Sequence, residues 1–166
     1  MTRINDDRAI VGIDPTPRGL AFVFFENGEL LDWGTRRSDE GDVALLDRLL
    51  NRLRADMLVL EDPDAPRCER RVRVKRALRQ FKAHAESRGI EVRMVSRYAV
   101  RSEWAKRGRM RKHAVAEAIA ENFPEIDILV PRVRKVYRSE EARAEIFDAL
   151  SLVLYAFPLT ESAQVA

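Results

Sequence analysis

The sequence predicts an α/β fold in which a mixed sheet of five strands carries helices on both faces. Two patterns indicate it: three strand-like segments follow one another near the N-terminus, and helical and strand-like segments alternate from Asp42 onward. This order is typical of a mixed sheet, because parallel strands require helical crossovers. With 166 residues, of which 46% are hydrophobic, the chain can bury a core without disulfide bonds. We expect a single domain over residues 1–166, with a core over about 9–157 and frayed termini.

The first three strands are predicted to form an antiparallel meander. Ala9–Ile13 is a short apolar run rich in β-branched residues, which favours a buried strand. Leu20–Phe25 is rich in aromatic residues and forms the second strand. Glu29–Gly34 returns after Asn27-Gly28, the dipeptide most typical of a two-residue hairpin.

Helical periodicity begins at Asp42 and continues to about Ala55–Asp56, with leucines recurring every three or four residues between charged ones. Met57–Leu60 is apolar at every position, as expected of a central strand covered on both faces. A long helix is predicted over about Cys68–Ser87, and a fifth strand over Ile90–Val95.

The last third of the chain is predicted to be mainly helical. Two short helices are expected over Tyr98–Lys106 and Arg111–Asn122. A basic extended loop follows over Pro131–Arg138, and a final helix over about Ser139–Phe157. Ser139 is a favourable N-cap for the final helix, and Glu140 and Glu141 would lie in its first turn, where the helix dipole favours acids.

Several classes of protein are excluded by composition. Cys68 is the single cysteine of the chain, and His84 and His113 are its two histidines, so neither a disulfide framework nor a zinc site is expected. No apolar run reaches the roughly 18 residues of a membrane span. The N-terminal residues contain no apolar segment of the kind found in signal peptides. We expect a soluble, cytoplasmic protein.

The charges are distributed unevenly along the chain. The segment Ala65–His113 contains 17 Lys or Arg and 4 Asp or Glu, whereas the rest contains 13 and 23, although the whole chain has a net charge of only +3. A basic segment between acidic flanks indicates a surface that faces a polyanion.

Three acidic residues occupy related places in the predicted fold. Asp14 and Glu61 end the first and fourth strands, so both would emerge at one sheet edge if these strands are parallel neighbours. Asp148 lies among apolar residues of the final helix, and Glu145 and Glu141 share its helix face. Carboxylates placed so close together repel one another unless a cation neutralises them, and Mg²⁺ or Mn²⁺ suits oxygen ligands.

Structural explanations remain open for each acid. Asp14 before a proline can simply favour a turn, and Glu61 can belong to a solvated acidic loop. Asp148 can pair with one of the many arginines. The combination favours a shared metal site, since all three positions suit one cluster of two ions about 3.5–4 Å apart.

Two groups of basic residues are candidates for binding nucleic acid. The long helix is surrounded by cations, among which Arg71, Lys75 and Arg79 are the candidate backbone contacts. The second group lies around Gly108 at a helix start, a position that suits a phosphate, and consists of Lys106, Arg107, Arg109 and Arg111. Trp104 could stack on a base and His113 could transfer protons, but a core tryptophan and a surface histidine are the commoner cases. His84 is expected to be structural.

The acidic motifs resemble the RuvC-like branch of the ribonuclease H superfamily, whose members are Holliday junction resolvases and related nucleases. The resemblance rests on Ile13-Asp14-Pro15, on Glu61, and on the run from Glu145 to Leu150, and it extends over about Ala9–Phe157. It implies a ribonuclease H-like α/β fold with a five-stranded mixed sheet, the first three strands antiparallel, and helices on both faces.

The resemblance also implies an activity. It implies a cluster of Asp14, Glu61, Glu145 and Asp148 that binds two Mg²⁺ or Mn²⁺ ions, with Glu141 as the alternative fourth ligand. The family's lysine at a scissile phosphate matches Lys112. RuvC-type resolvases are homodimers that cut four-way DNA junctions, and their dimer contact uses the helix that corresponds to Cys68–Ser87 here.

The sequence therefore predicts a metal-dependent endonuclease that acts on DNA, with branched DNA as the expected substrate. Three alternatives stay open: a nuclease that cuts RNA or RNA–DNA hybrids, a non-catalytic DNA-binding module whose acids serve only the fold, and a phosphotransferase of the actin and sugar-kinase type. The last needs glycine-rich phosphate turns and a second domain, which 166 residues with 7 glycines do not favour.

Overall fold

The computed structural model describes residues 2–131 and 143–160. The strands are β1 (Arg3–Ile4), β2 (Ile10–Thr16), β3 (Gly19–Glu26), β4 (Glu29–Arg37), β5 (Met57–Glu61), β6 (Glu91–Val95) and β7 (Leu159–Thr160). The helices are α1 (Asp42–Leu53), α2 (Val72–Ser87), α3 (Arg97–Lys106), α4 (Lys112–Asn122) and α5 (Ala144–Ala156), and a 3₁₀ helix spans Pro124–Leu129.

The five long strands form one mixed sheet in the order β4-β3-β2-β5-β6. β2, β3 and β4 pair antiparallel, whereas β5 pairs parallel with both β2 and β6. The predicted fold class is therefore confirmed. The hairpin between β3 and β4 turns at Asn27 and Gly28, whose φ angles of 53° and 79° are both left-handed, as a type I′ turn requires.

The alternation of side chains along the strands divides the core into two layers. Ile10 of β2 and Met57 of β5 belong to the layer that packs against α3, α4 and α5. Val11 of β2 and Leu58 of β5 point the other way and pack against α1 and α2. The parity of each strand thus decides which helices its residues face.

Gly12 permits a close approach between β2 and α5. A Cβ atom at this position would lie 2.4 Å from Val153 Cγ2 and 3.1 Å from the backbone oxygen of Ala149. Both of these residues belong to α5. Only a residue without a side chain therefore allows α5 to pack at this depth on the sheet.

Three parts of the chain differ from the sequence-based expectation. The predicted start of the long helix at Cys68 is wrong, since α2 begins at Val72 and residues 62–71 form a loop. Residues 3–4, expected to lie outside the core, form β1, which pairs antiparallel with β7. The 3₁₀ helix after α4 was not predicted.

Some predicted features lie outside the described residues: most of the basic loop Pro131–Arg138, the N-cap Ser139, and the acids Glu140 and Glu141. No helix within residues 2–131 or 143–160 combines the length and apolarity that crossing a membrane would require.

We predict that Gly12→Ala destabilises the protein by about 1–3 kcal/mol, the usual cost of overpacking a core. Its Cβ would push α5 away from β2, so the melting temperature should fall. Gly34→Ala is the matched control, because its Cβ would meet the mobile end of Arg36 at 3.1 Å and a ring carbon of Phe22 at 3.4 Å. Equal melting temperatures for the two variants would contradict the assigned role of Gly12.

Candidate functional site

Asp14 and Glu61 lie side by side at the carboxyl ends of neighbouring parallel strands. Ile10 is level with Met57 and Gly12 with Val59, and the same offset continued for two residues places Asp14 level with Glu61. Both point to the face covered by α5, because they follow Ile10 and Met57 at even spacing. Both are almost completely buried, with relative exposures of 2% and 1%.

Asp148 of α5 completes a group of three carboxylates. The guanidinium of Arg97 contacts all three: its Nη1 lies 3.5 Å from Asp14 Oδ1 and 3.4 Å from Glu61 Oε2, and its Nη2 lies 3.1 Å from Asp148 Oδ2. One guanidinium can reach three acids only if they converge. The structure therefore brings together three acids that the sequence placed on three separate elements.

Two more cations join this cluster. Arg70 donates from Nη2 to Asp14 Oδ1 at 2.7 Å and from Nε to Glu61 Oε2 at 2.9 Å. Lys112, the first residue of α4, donates from Nζ to Asp148 Oδ2 at 3.1 Å. Among residues 2–131 and 143–160, three carboxylates thus contact three cations at one end of the sheet.

Sequence reasoning missed Arg70 and Arg97 as members of the site. Arg97 had a usable signal, because it follows the end of β6, the strand next to β5, and Ser96 caps α3 by accepting a hydrogen bond from the Ala99 N–H. Arg70 had none, since it was assigned to a helix that in fact starts at Val72. Asp148 does pair with an arginine, the structural alternative to a metal-binding role, since it contacts Arg97.

The electrostatics of the cluster are set by burial. Burial raises the pKa of Asp14 to about 7, and the charges of Asp148 and Glu61 act in the same direction against the opposing effect of Arg70 and Arg97. Burial alone lowers the pKa of Arg97, but the three carboxylates raise it above the ordinary arginine value, so its guanidinium stays charged. The acids are therefore held in place at an electrostatic cost.

The donor atoms of the cluster suit a hard divalent cation, because every one is a carboxylate oxygen. Asp14 Oδ1 and Glu61 Oε2 lie 3.5 Å and 3.4 Å from the same nitrogen, Arg97 Nη1. The two carboxylates are therefore close neighbours. Within residues 2–131 and 143–160, however, no three acidic, histidine or cysteine side chains are grouped as they stand to hold a metal ion. The guanidinium groups of Arg70 and Arg97 lie among the carboxylates instead, and a metal ion would have to displace one of them.

The proposed fourth ligand lies nearby in the chain. Glu145 is partly buried in the first turn of α5, three residues before Asp148. The alternative, Glu141, lies outside the described residues.

A cleft of about 700 Å³ opens beside the carboxylates. Glu61 and Glu69 line it together with five cations and the half-exposed ring of Tyr98, and the cations are Arg67, Arg70, Arg97, Arg101 and Lys112. A cleft with this excess of cations would attract a polyanion and bring it to the buried Glu61.

The predicted nucleic-acid contacts lie at the surface in two places. Arg71 precedes α2, where Lys75 is partly buried and Arg79 pairs with Asp64 at 2.6 Å. Lys106 ends α3 and Arg111 precedes α4.

The remaining predicted contacts of the second group have acidic or aromatic neighbours. Arg107 lies over the Trp104 ring and 3.9 Å from Glu103, and Arg109 lies 3.8 Å from Glu121. Trp104 packs partly buried against the core, as expected of a structural tryptophan.

The two histidines have structural partners. His113 contacts the backbone oxygen of Pro131 at 2.6 Å and Glu117 at 3.2 Å. His84 contacts Asp47 at 2.7 Å.

Comparison with known proteins gives matches at the level of structure. No family model and no curated protein matches the sequence. Thermus thermophilus RuvC matches with a TM-score of 0.55 and 21% identity, over 89% of this chain and 95% of RuvC.

Two further solved structures match in the same way. T. thermophilus RuvC in complex with a Holliday junction substrate matches with a TM-score of 0.55 and 16% identity, over 90% of this chain and 94% of that one. The yeast mitochondrial Holliday junction resolvase Ydc2 matches with a TM-score of 0.52 and 14% identity, over 90% and 78%. The chain therefore has the ribonuclease H-like fold of the RuvC resolvases.

Proposed function

We propose that this protein is a metal-dependent endodeoxyribonuclease of the RuvC type that hydrolyses phosphodiester bonds in branched DNA. The observation that carries the proposal is the convergence of Asp14, Glu61 and Asp148 from β2, β5 and α5 on one guanidinium. The shared fold supports it, as does the Holliday junction bound to one of the similar structures.

Asp14, Glu61 and Asp148, with Glu145 as fourth ligand, would hold two Mg²⁺ or Mn²⁺ ions. Such ions, when bound, activate a water for attack on phosphorus and stabilise the departing 3′-oxygen. Asp14 and Glu61 are fixed by the sheet and Asp148 by α5, so the carboxylates need little rearrangement of the backbone. Lys112, which lines the cleft and donates a hydrogen bond to Asp148, would stabilise negative charge on the phosphate.

Two groups of cations would hold the DNA backbone and carry no sequence information. Arg71, Lys75 and Arg79 belong to one end of α2 and its preceding loop. The second group, Lys106, Arg107, Arg109 and Arg111, surrounds the turn between α3 and α4. A homodimer would place two such sites on opposed strands of a junction, with α2 as the expected contact helix.

A second candidate function is a DNA-binding module without catalysis. The charge balance of the cluster favours it, since Arg70, Arg97 and Lys112 already neutralise the three acids. This candidate predicts that Asp14→Asn leaves DNA binding intact and has no activity to remove.

We predict that the purified protein cuts a labelled four-way junction in the presence of Mg²⁺ or Mn²⁺ and not in the presence of a chelator. Asp14→Asn and Asp148→Asn should each reduce the cleavage rate at least about 100-fold, since each removes an expected metal ligand. Asp32→Asn, which alters an exposed pair with Arg52, is the matched control.

Duplex DNA and an RNA–DNA hybrid, incubated in parallel, define the substrate. Preferred cleavage of the hybrid would replace branched DNA with hybrid as the substrate. Cleavage that survives both site variants would refute the site, and no metal-dependent cleavage of any substrate would refute the nuclease.

We predict that the metal-free protein becomes less stable as the pH rises from about 4 to about 7, at up to about 1.4 kcal/mol per pH unit. The folded state raises the pKa of Asp14 from 3.8 to about 7, so Asp14 stabilises folding fully below 3.8, and this contribution is lost as the pH rises through 7. Asp14→Asn has no carboxyl to titrate at this position. In EDTA, the melting temperature of the variant should therefore rise relative to that of the wild type as the pH increases across this interval. A pH-independent difference, matching that of Asp32→Asn, would contradict the prediction.

We predict that DNA binding in EDTA weakens steeply with salt, because phosphate contacts release counterions. The double variant Arg71→Gln/Arg111→Gln should reduce the steepness of log K against log [salt] by about 2, or about 1 per lost phosphate contact. Fluorescence anisotropy with a four-way junction measures it. Arg48→Gln, on α1 in an exposed pair with Glu40, lies outside both groups of proposed DNA contacts and should leave the slope unchanged. An unchanged slope in the double variant would assign the phosphate contacts to other residues.

A further inference from the structure

We propose that Arg70 is a built-in, displaceable cation that competes with the divalent metal ion for Asp14 and Glu61. This inference rests on the proposed function, because it concerns how the metal reaches its carboxylates. It concerns a residue of the loop that precedes α2. Metal entry would require release of Arg70, whose guanidinium would then be available to a phosphate in the cleft.

The contacts of Arg70 match those expected of a metal substitute. Its Nη2 and Nε reach two different carboxylates, at 2.7 Å from Asp14 and 2.9 Å from Glu61. Both of those acids are almost fully buried, with relative exposures of 2% and 1%. A buried carboxylate without a cation is costly, so Arg70 stabilises the pair in the absence of metal.

The position of Arg70 in the chain allows it to leave. It lies in the loop between β5 and α2, and its side chain is 24% exposed and lines the 700 Å³ cleft. Arg97 is 16% exposed, lies at the start of α3 behind the Ser96 cap, and also contacts Asp148. Arg70 is therefore the cation that a metal ion displaces, and Arg97 is the one that stays.

The charge of the cluster favours such a release. Among residues 2–131 and 143–160, Asp14, Glu61 and Asp148 contact three cations, Arg70, Arg97 and Lys112, so a divalent ion that entered beside all three cations would add further positive charge to the site. Release of Arg70 would place its guanidinium beside Arg67, Arg101 and Lys112 in the cleft, where a phosphate would bind it.

The experiment measures Mn²⁺ binding by the full-length protein without DNA, using the electron paramagnetic resonance signal of free Mn²⁺. Arg70→Gln should bind Mn²⁺ about tenfold more tightly than the wild type, since a competing charge-assisted pair is gone. Arg70→Lys keeps the charge but replaces two separate guanidinium donors, Nη2 and Nε, with a single nitrogen, so its affinity should lie between those of Arg70→Gln and the wild type. Arg48→Gln should match the wild type.

A second readout separates competition from general damage. In EDTA the melting temperature of Arg70→Gln should be lower than that of the wild type, and saturating Mn²⁺ should close the difference. Equal or weaker Mn²⁺ binding by Arg70→Gln, while the wild type cuts DNA with metal, would overturn the role of Arg70 and leave the nuclease standing. Absence of Mn²⁺ binding by both proteins would overturn the inference together with the metal-dependent function.

Discussion

The structure depends on the burial of negative charge at one end of its sheet. Asp14 and Glu61 are placed in the interior by the strands that carry them, and Asp148 is brought to them by α5. Burying carboxylates costs several kcal/mol each unless cations compensate, and apolar residues at these three positions would give a more stable core. Three converging acids kept at such a position identify this end of the sheet as the candidate functional site.

The backbone around the cluster is arranged to make this convergence possible. Parallel pairing of β5 with β2 and β6 brings three strand ends to the same edge, which is where open α/β sheets bind ligands. The absence of a side chain at Gly12 lets α5 approach β2 two residues before Asp14. The chain leaving β6 enters α3 immediately, and this turn delivers Arg97 to all three carboxylates.

The features predicted from the sequence are those with local or rule-based signals. The Asn27-Gly28 hairpin, the apolar strand β5 and the placement of Asp14 and Glu61 at one edge follow from turn chemistry, periodicity and the direction of parallel strands. The pairing of β1 with β7 joins residues at opposite ends of the chain, and strands of two residues carry no periodicity. The predicted start of α2 was wrong because cations and apolar residues around Cys68 suit a helix locally. The ion pairs of Arg70 with Asp14 and Glu61 favour a loop there instead.

The uneven charge of the chain is used in part within the protein itself. All three cations of the cluster, Arg70, Arg97 and Lys112, come from the basic segment 65–113, and all three carboxylates come from outside it. Other cations of the segment also pair with acids, Arg79 with Asp64 and Arg88 with Asp47. The formal charge of the segment therefore overstates the charge that it can offer to DNA. The positive charge that is paired within the protein also depends on metal binding, since a metal ion bound by Asp14 and Glu61 would release Arg70 into the cleft. Metal binding and DNA binding would then strengthen each other.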